Sequence, residues 1–215
     1  MSDDEPTPTT VLDRLIAAGH PLANMETGEP LSAVLERVQS ANAYIGAGPI
    51  VEALAAGAQV VITGRSTDTA LTYAPMMYEF GWDPADHVRL GRGIGLGHLM
   101  ECGSQVTGGY FPDPGFKDMP EPWNLGFPII EVEEDGSAVI TKLPGTGGTV
   151  NLMTVKEQIF YEVHDPAAYV TPDVVADFSR VTMEADGPDR VRVRGAGGRP
   201  RPEMLKVSVG QHDGW

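Results

Sequence analysis

Apolar positions in the first half of the chain fall into short runs separated by turn residues. Thr9 or Thr10 can cap a short helix running through Leu15 to Ala18, and Gly19-His20-Pro21 stops it. Residues 21–31 read as a loop. The run Val38 to Ile45 then reads as a strand, Pro49 to Ala56 as a helix and Gln59 to Thr63 as a second strand. Pro49 suits a first helical turn, where its missing N–H costs nothing. Strand, helix and strand at this length predict a parallel βαβ unit near 38–63.

Helical spacing continues from Asp68 to Phe80, with Pro75 expected to kink or split the helix. Asp83 or Asp86 opens another short helix ending near Leu90. The alternation Gly91, Gly93, Gly95, Gly97 reads as a backbone-permissive stretch leading to His98. Residues 107–128 are dense in proline and glycine and read as an ordered loop or lid. Ile129–Val132 and Ala138–Lys142, joined through Glu134-Asp135-Gly136, predict a β-hairpin. Pro144 to Thr149 opens a helix over Val155, Ile159, Phe160 and Val163. Short strands are expected near 178–184, 190–195 and 204–209. The class is α/β with α+β character toward the C-terminus. The expected division is an α/β segment 1–106, the loop or lid 107–128, and a hairpin-helix-strand segment 129–215.

Composition narrows the function classes. With 41% hydrophobic and 21% charged residues, disorder is excluded as the default. The single cysteine, Cys102, excludes an intrachain disulfide and zinc sites needing two thiolates. An acidic N-terminus and the lack of a long apolar run point to a cytoplasmic location without membrane contact. A net charge of −15 argues against nucleic acid and anionic membranes as partners. Between Arg190 and Lys206, however, six basic residues stand against one acid, and Arg190, Arg192 and Arg194 alternate with Val191 and Val193. That pattern is a strand with a cationic face, either balancing an acidic body or binding anions.

Four places carry candidate chemistry. Gly46-Ala47-Gly48, between a strand and a helix, can let a backbone approach a cofactor phosphate. Val51 stands where a dinucleotide pattern needs a third glycine, so an NADP site and a plain tight turn are both open. Arg65, with Asp68 three residues on, can clamp a carboxylate or phosphate past a strand end; Asp68 can equally cap the next helix. His98, Glu101 and Cys102 would share one helix face as an acid–base pair, a metal site or a nucleophile with its base, or be core residues. Gly145, Thr146, Gly147, Gly148 and Thr149, with Lys156 in the following helix, form the strongest anion-binding signal. No residue set is assigned to a metal.

Several blocks carry a resemblance. They include Ala43-Tyr44-Ile45-Gly46, Val61-Ile62-Thr63-Gly64-Arg65-x-x-Asp68 and Glu79-Phe80-Gly81-Trp82. Gly97-His98-Leu99-x-Glu101-Cys102-Gly103-x-Gln105, Pro144-Gly145-Thr146-Gly147-Gly148, Val155-Lys156-Glu157-Gln158 and Tyr161-Glu162-Val163-His164-Asp165-Pro166 complete them. Together they resemble the acyclic terpene utilisation (AtuA-like) family from about residue 11 to the end. The resemblance implies a bacterial catabolic setting, in which citronellol- and geraniol-type terpenes are degraded through acyl-CoA intermediates. It also implies longer relatives, so that this chain is expected to be an internal slice. The leading expectation is an enzyme domain acting on a small acidic substrate, an acyl-CoA or carboxylate. Arg65 and the 145–149 loop would hold the anion, while His98 and Glu101 would move protons. The alternatives are a non-catalytic subunit that grips CoA or NADP or docks a partner through its Arg190–Arg201 face, and an inactive truncated fragment; a homo-oligomer or a partner subunit is open in each case.

Overall fold

The computed structural model describes residues 7–213. Its helices are α1 (Pro8–Ala17), α2 (Gly48–Ala55), α3 (Ala70–Phe80), α4 (His87–Met100) and α5 (Leu152–Phe160). The strands are β1 (Val38–Ala43), β2 (Pro128–Val132), β3 (Ala138–Lys142), β4 (Tyr169–Val170), β5 (Val174–Asp177), β6 (Thr182–Ala185), β7 (Val191–Arg194), β8 (Gly197–Pro200) and β9 (Val207–Gln211). The class is mixed α/β, with strands gathered toward the C-terminus. No helix among the described residues is long and apolar enough to cross a membrane.

The chain divides into two compact units. One comprises residues up to Tyr44 together with those from Leu205. Within it, Thr7 caps α1 by accepting from the Thr10 amide, and β1 pairs antiparallel with β9, Ala43 opposite Val207. The pairing corrects the expected parallel βαβ unit. Strand β1 and helix α2 both form, but residues 59–63 join no sheet, leaving Val60 and Ile62 79% and 92% exposed. Near this segment, parallel pairing is reduced to a bridge between Ile45 and Ser66. A β-branched run has the propensity for a strand, but a ladder needs a partner edge, and none is offered to 59–63 among the described residues.

The second unit, Ile45–Met204, is organised around α4. Asp86 caps this helix through the Arg89 amide. The alternating glycines, expected to lie outside a helix, are its middle. Glycine lowers helix propensity by about 1 kcal/mol relative to alanine, so packing must compensate. Gly91 lies against Gly197 and Gly198 of β8, Gly93 against Trp82 and Tyr73, and Gly97 against Thr69. Leu90, Ile94, Leu96 and Leu99 of the same helix are buried in the core. Pro75 does not split α3; it sits on the exposed face, where water can take the carbonyl that its ring leaves without a donor.

Two antiparallel sheets complete the unit, in the orders β2-β3-β7-β6 and β4-β5-β8. The hairpin forms as expected, with Ile130 opposite Ile140. Val191 and Val193 of β7 are buried, and the cationic face beside them is matched within its own sheet. Arg190 reaches Glu131 at 2.6 Å, Arg192 reaches Asp186 at 3.3 Å and Arg194 reaches Glu184 at 3.4 Å. The stripe balances the acidic body rather than standing open for an anion. Helix α5 begins later than the glycine-rich loop: Asn151 caps it, in a reciprocal box with Thr154.

Candidate functional site

Both glycine-rich turns hold a carboxylate of the chain itself where a ligand's anion was expected. At Gly46 the missing Cβ leaves room for the Asp173 side chain, which accepts from the Ala47 amide at 3.0 Å and from the Tyr73 hydroxyl. The Gly46–Gly48 turn is therefore already supplied with an anion, which stands against an NADP phosphate there. Burial pushes the Asp173 carboxyl above its ordinary range; the Ala47 amide and the Arg201 charge pull the other way.

The 145–149 loop behaves similarly. Asp189 accepts from the Thr149 hydroxyl at 3.0 Å and the Val150 amide at 2.9 Å, and its other oxygen lies 3.5 Å from the buried Lys142 ammonium. The remaining amides clasp the 107–128 loop: Gly147 donates to the Asn124 carbonyl, Gly148 to Pro120 and Thr149 to Thr107. Thr146 turns its carbonyl to Lys142 and its hydroxyl to the Leu143 carbonyl. Gly145 takes a left-handed turn at φ 81°, and Lys156 points outward on α5. These residues support a loop, the amides of Thr146, Gly147, Gly148 and Thr149 all having partners within the chain.

The remaining expected residues do come together, at the C-terminal end of α4. Asp68 and Arg65 lie in the turn before α3, His98 in the last turn of α4, and Glu101 directly after it. Glu162, just past α5, joins them in a left-handed conformation at φ 56°, as does Cys102 at φ 58°. Gln158 of α5 ties the set together, its side-chain amide donating to the carbonyls of His98 at 3.0 Å and Glu101 at 3.5 Å.

Electrostatics separates the roles. Burial raises the Asp68 carboxyl above its ordinary range; Glu101 and Glu162 add to the shift, and Arg65 opposes it. The Cys102 thiol gives its hydrogen to the Glu101 carboxylate and is pushed up to about 11, so it is a protonated thiol at neutral pH and not a ready nucleophile. Tyr169 is raised to about 12 by burial and by Asp68, Glu101 and Glu162. His98 is only 4% exposed, held between Phe178 (ring centroids 5.9 Å apart) and Tyr169 (5.4 Å). Burial lowers its pKa and favours the neutral ring, against the pull of the Gln158 and Tyr161 backbone and of Glu101 and Glu162. His98 is thus a packed neutral imidazole near the Glu101 and Glu162 carboxyls. No three His, Cys, Asp or Glu side chains among the described residues are arranged to hold a metal ion.

Sequence reasoning missed Glu162, Tyr169 and Gln158 as parts of this site. Glu162 and Gln158 lay inside blocks that carry the family resemblance, but their closeness to Glu101 arises only when α5 docks on the end of α4.

A family model described as acyclic terpene utilisation family protein AtuA matches residues 4–215, and the chain belongs to that family. No curated protein and no solved structure matches it.

Proposed function

We propose that this member of the acyclic terpene utilisation family is a catabolic enzyme component acting on an acyl-CoA or carboxylate. Asp68, Glu101 and Glu162 transfer its protons and Arg65 holds its negative end. The observation behind this reading is the Asp68 carboxyl, raised by burial and by two neighbouring carboxylates beside an arginine. Carboxyls in such company do not all ionise together, so one can give a proton while another takes one. The two glycine-rich turns play no part, because the Ala47 amide and the amides from Thr146 to Val150 already have partners within the chain. His98 forms a wall of the site rather than shuttling protons.

Solvent-deuterium incorporation into branched acyl-CoA esters, read by mass spectrometry, tests the proposal without knowledge of the product. Asp68→Asn and Glu101→Gln should each slow incorporation by about 100-fold or more, and Arg65→Met should raise KM. Equal incorporation in both carboxyl variants, or none with any ester, refutes it.

A further inference from the structure

A narrow recess lies between the 107–128 loop and α5, lined by Gln105, Tyr110, Phe111, Thr154, Glu157 and Gln158. It has no room for a water molecule. Two of its lining side chains nevertheless carry buried polar atoms without partners, the Gln105 Nε2 donor and the Gln158 Oε1 acceptor. Gln158 is only 2% exposed, and its own Nε2 is committed to the His98 carbonyl, so its free oxygen cannot exchange places with its nitrogen without breaking that bond. Buried polar groups are nearly always paired. A donor and an acceptor left over in one recess therefore describe a missing complement.

The cover is a strap, residues 110–118, anchored at one end by the buried Phe111. Asp113 and Lys117 bond each other's backbone in both directions. The Lys117 ammonium reaches Glu157 of α5 at 2.9 Å and lies 4.5 Å from the Phe111 ring centroid. Tyr110 touches Tyr161, with ring centroids 5.3 Å apart. The following stretch, by contrast, is clasped by Gly147 and Gly148 and by the Thr107 hydroxyl on the Gly126 carbonyl. The Lys117–Glu157 pair is partly exposed, at 36% and 38%, and so is a weak latch.

We propose that the recess is a subsite for the secondary amide of a small ligand, opened by release of the strap. The amide carbonyl accepts from Gln105 Nε2, its N–H donates to Gln158 Oε1, and Tyr110 and Phe111 cover the chain on either side. An ionised carboxylate or an ester has no N–H and leaves Gln158 unpaired, so the recess selects amides. This rests on the proposed function in one respect: Gln158 also donates to the Glu101 backbone carbonyl, so the recess adjoins the segment that carries the Glu101 carboxyl.

Pantetheine, and its analogue with ester oxygens in place of the amide N–H groups, are the probes for calorimetry and NMR. Pantetheine should bind and shift the side-chain amide signals of Gln105 and Gln158, and the ester analogue should bind about tenfold more weakly. Gln105→Leu should weaken pantetheine by about tenfold, and Lys117→Gln should tighten it by removing the latch. Equal affinity for the two probes, or no signal shift in the unaltered protein at about 1 mM, overturns the subsite. Measurements on the unaltered protein separate the two readings. Pantetheine binding with no deuterium incorporation into any ester sinks only the reaction. Incorporation without pantetheine binding sinks only the subsite.

Discussion

The four glycines of α4 provide a graded test of why this helix exists. Each Gly→Ala change on this helix brings the same propensity gain, about 1 kcal/mol, so differences among the four variants measure packing alone. At Gly95 an added methyl meets Ala196 and Phe178 at 3.3 Å, which a small side-chain adjustment accommodates. At Gly93 it meets Trp82 at 2.9 Å and Tyr73 at 3.0 Å. At Gly97 it lies 2.7 Å from the Thr69 carbonyl oxygen, and at Gly91 it falls inside the Gly197 carbonyl. In the last two the obstacle is backbone, which cannot rotate away. Overpacking costs about 1–3 kcal/mol. Net of the propensity gain, Gly95→Ala should change stability by less than about 0.5 kcal/mol and Gly93→Ala should cost about 1 kcal/mol. Gly97→Ala and Gly91→Ala should cost about 2 kcal/mol, with Gly91 the worse. Urea unfolding at constant m reads the series directly. A Gly91→Ala protein as stable as Gly95→Ala would refute close helix–strand contact as the reason for the glycines.

Two further outcomes concern the carboxyl cluster. Alkylation of Cys102 by iodoacetamide should be slow at neutral pH and accelerate toward pH 11, and Glu101→Gln should speed it by removing the carboxylate that holds the thiol proton; an unchanged rate profile in the variant contradicts that hydrogen bond. Asp68 has a carboxyl pKa that is higher folded than unfolded, so the folded state binds the proton more tightly and stability falls as pH rises from about 3.8 through the raised value. Melting temperatures of Asp68→Asn should lose that part of the slope and exceed those of the unaltered protein at neutral pH, and a lower value there contradicts the sign.

Elements specified by neighbouring residues were legible in the chain. Alternation through Ile129–Val132 and Ala138–Lys142 with Asp135-Gly136 between them is enough for a hairpin, because the partner strand lies within reach of one turn. Helices α1 and α3 were likewise visible from local spacing. Helix α4 was not, because glycine spacing announces a flexible backbone when nothing is known of what approaches it. Residues 59–63 failed in the opposite sense: their propensity is local, but a strand also needs an edge.

At the candidate site, the sequence by itself picked out Arg65, Asp68, His98 and Glu101 as residues of chemically capable types in blocks close to the turns and helix ends. Only the tertiary structure decided what surrounds each. Glycine-rich turns offer amides to any anion, and Asp173, 126 residues beyond the Ala47 amide, is an anion that no local reading supplies. Asp189 does the same for the second turn. Conversely, His98 is a proton carrier by type, but packing between Phe178 and Tyr169 buries it and favours the neutral ring. Hydrogen-bonding capacity is a property of the residue, whereas whether it is free or already used depends on which distant segment folds against it.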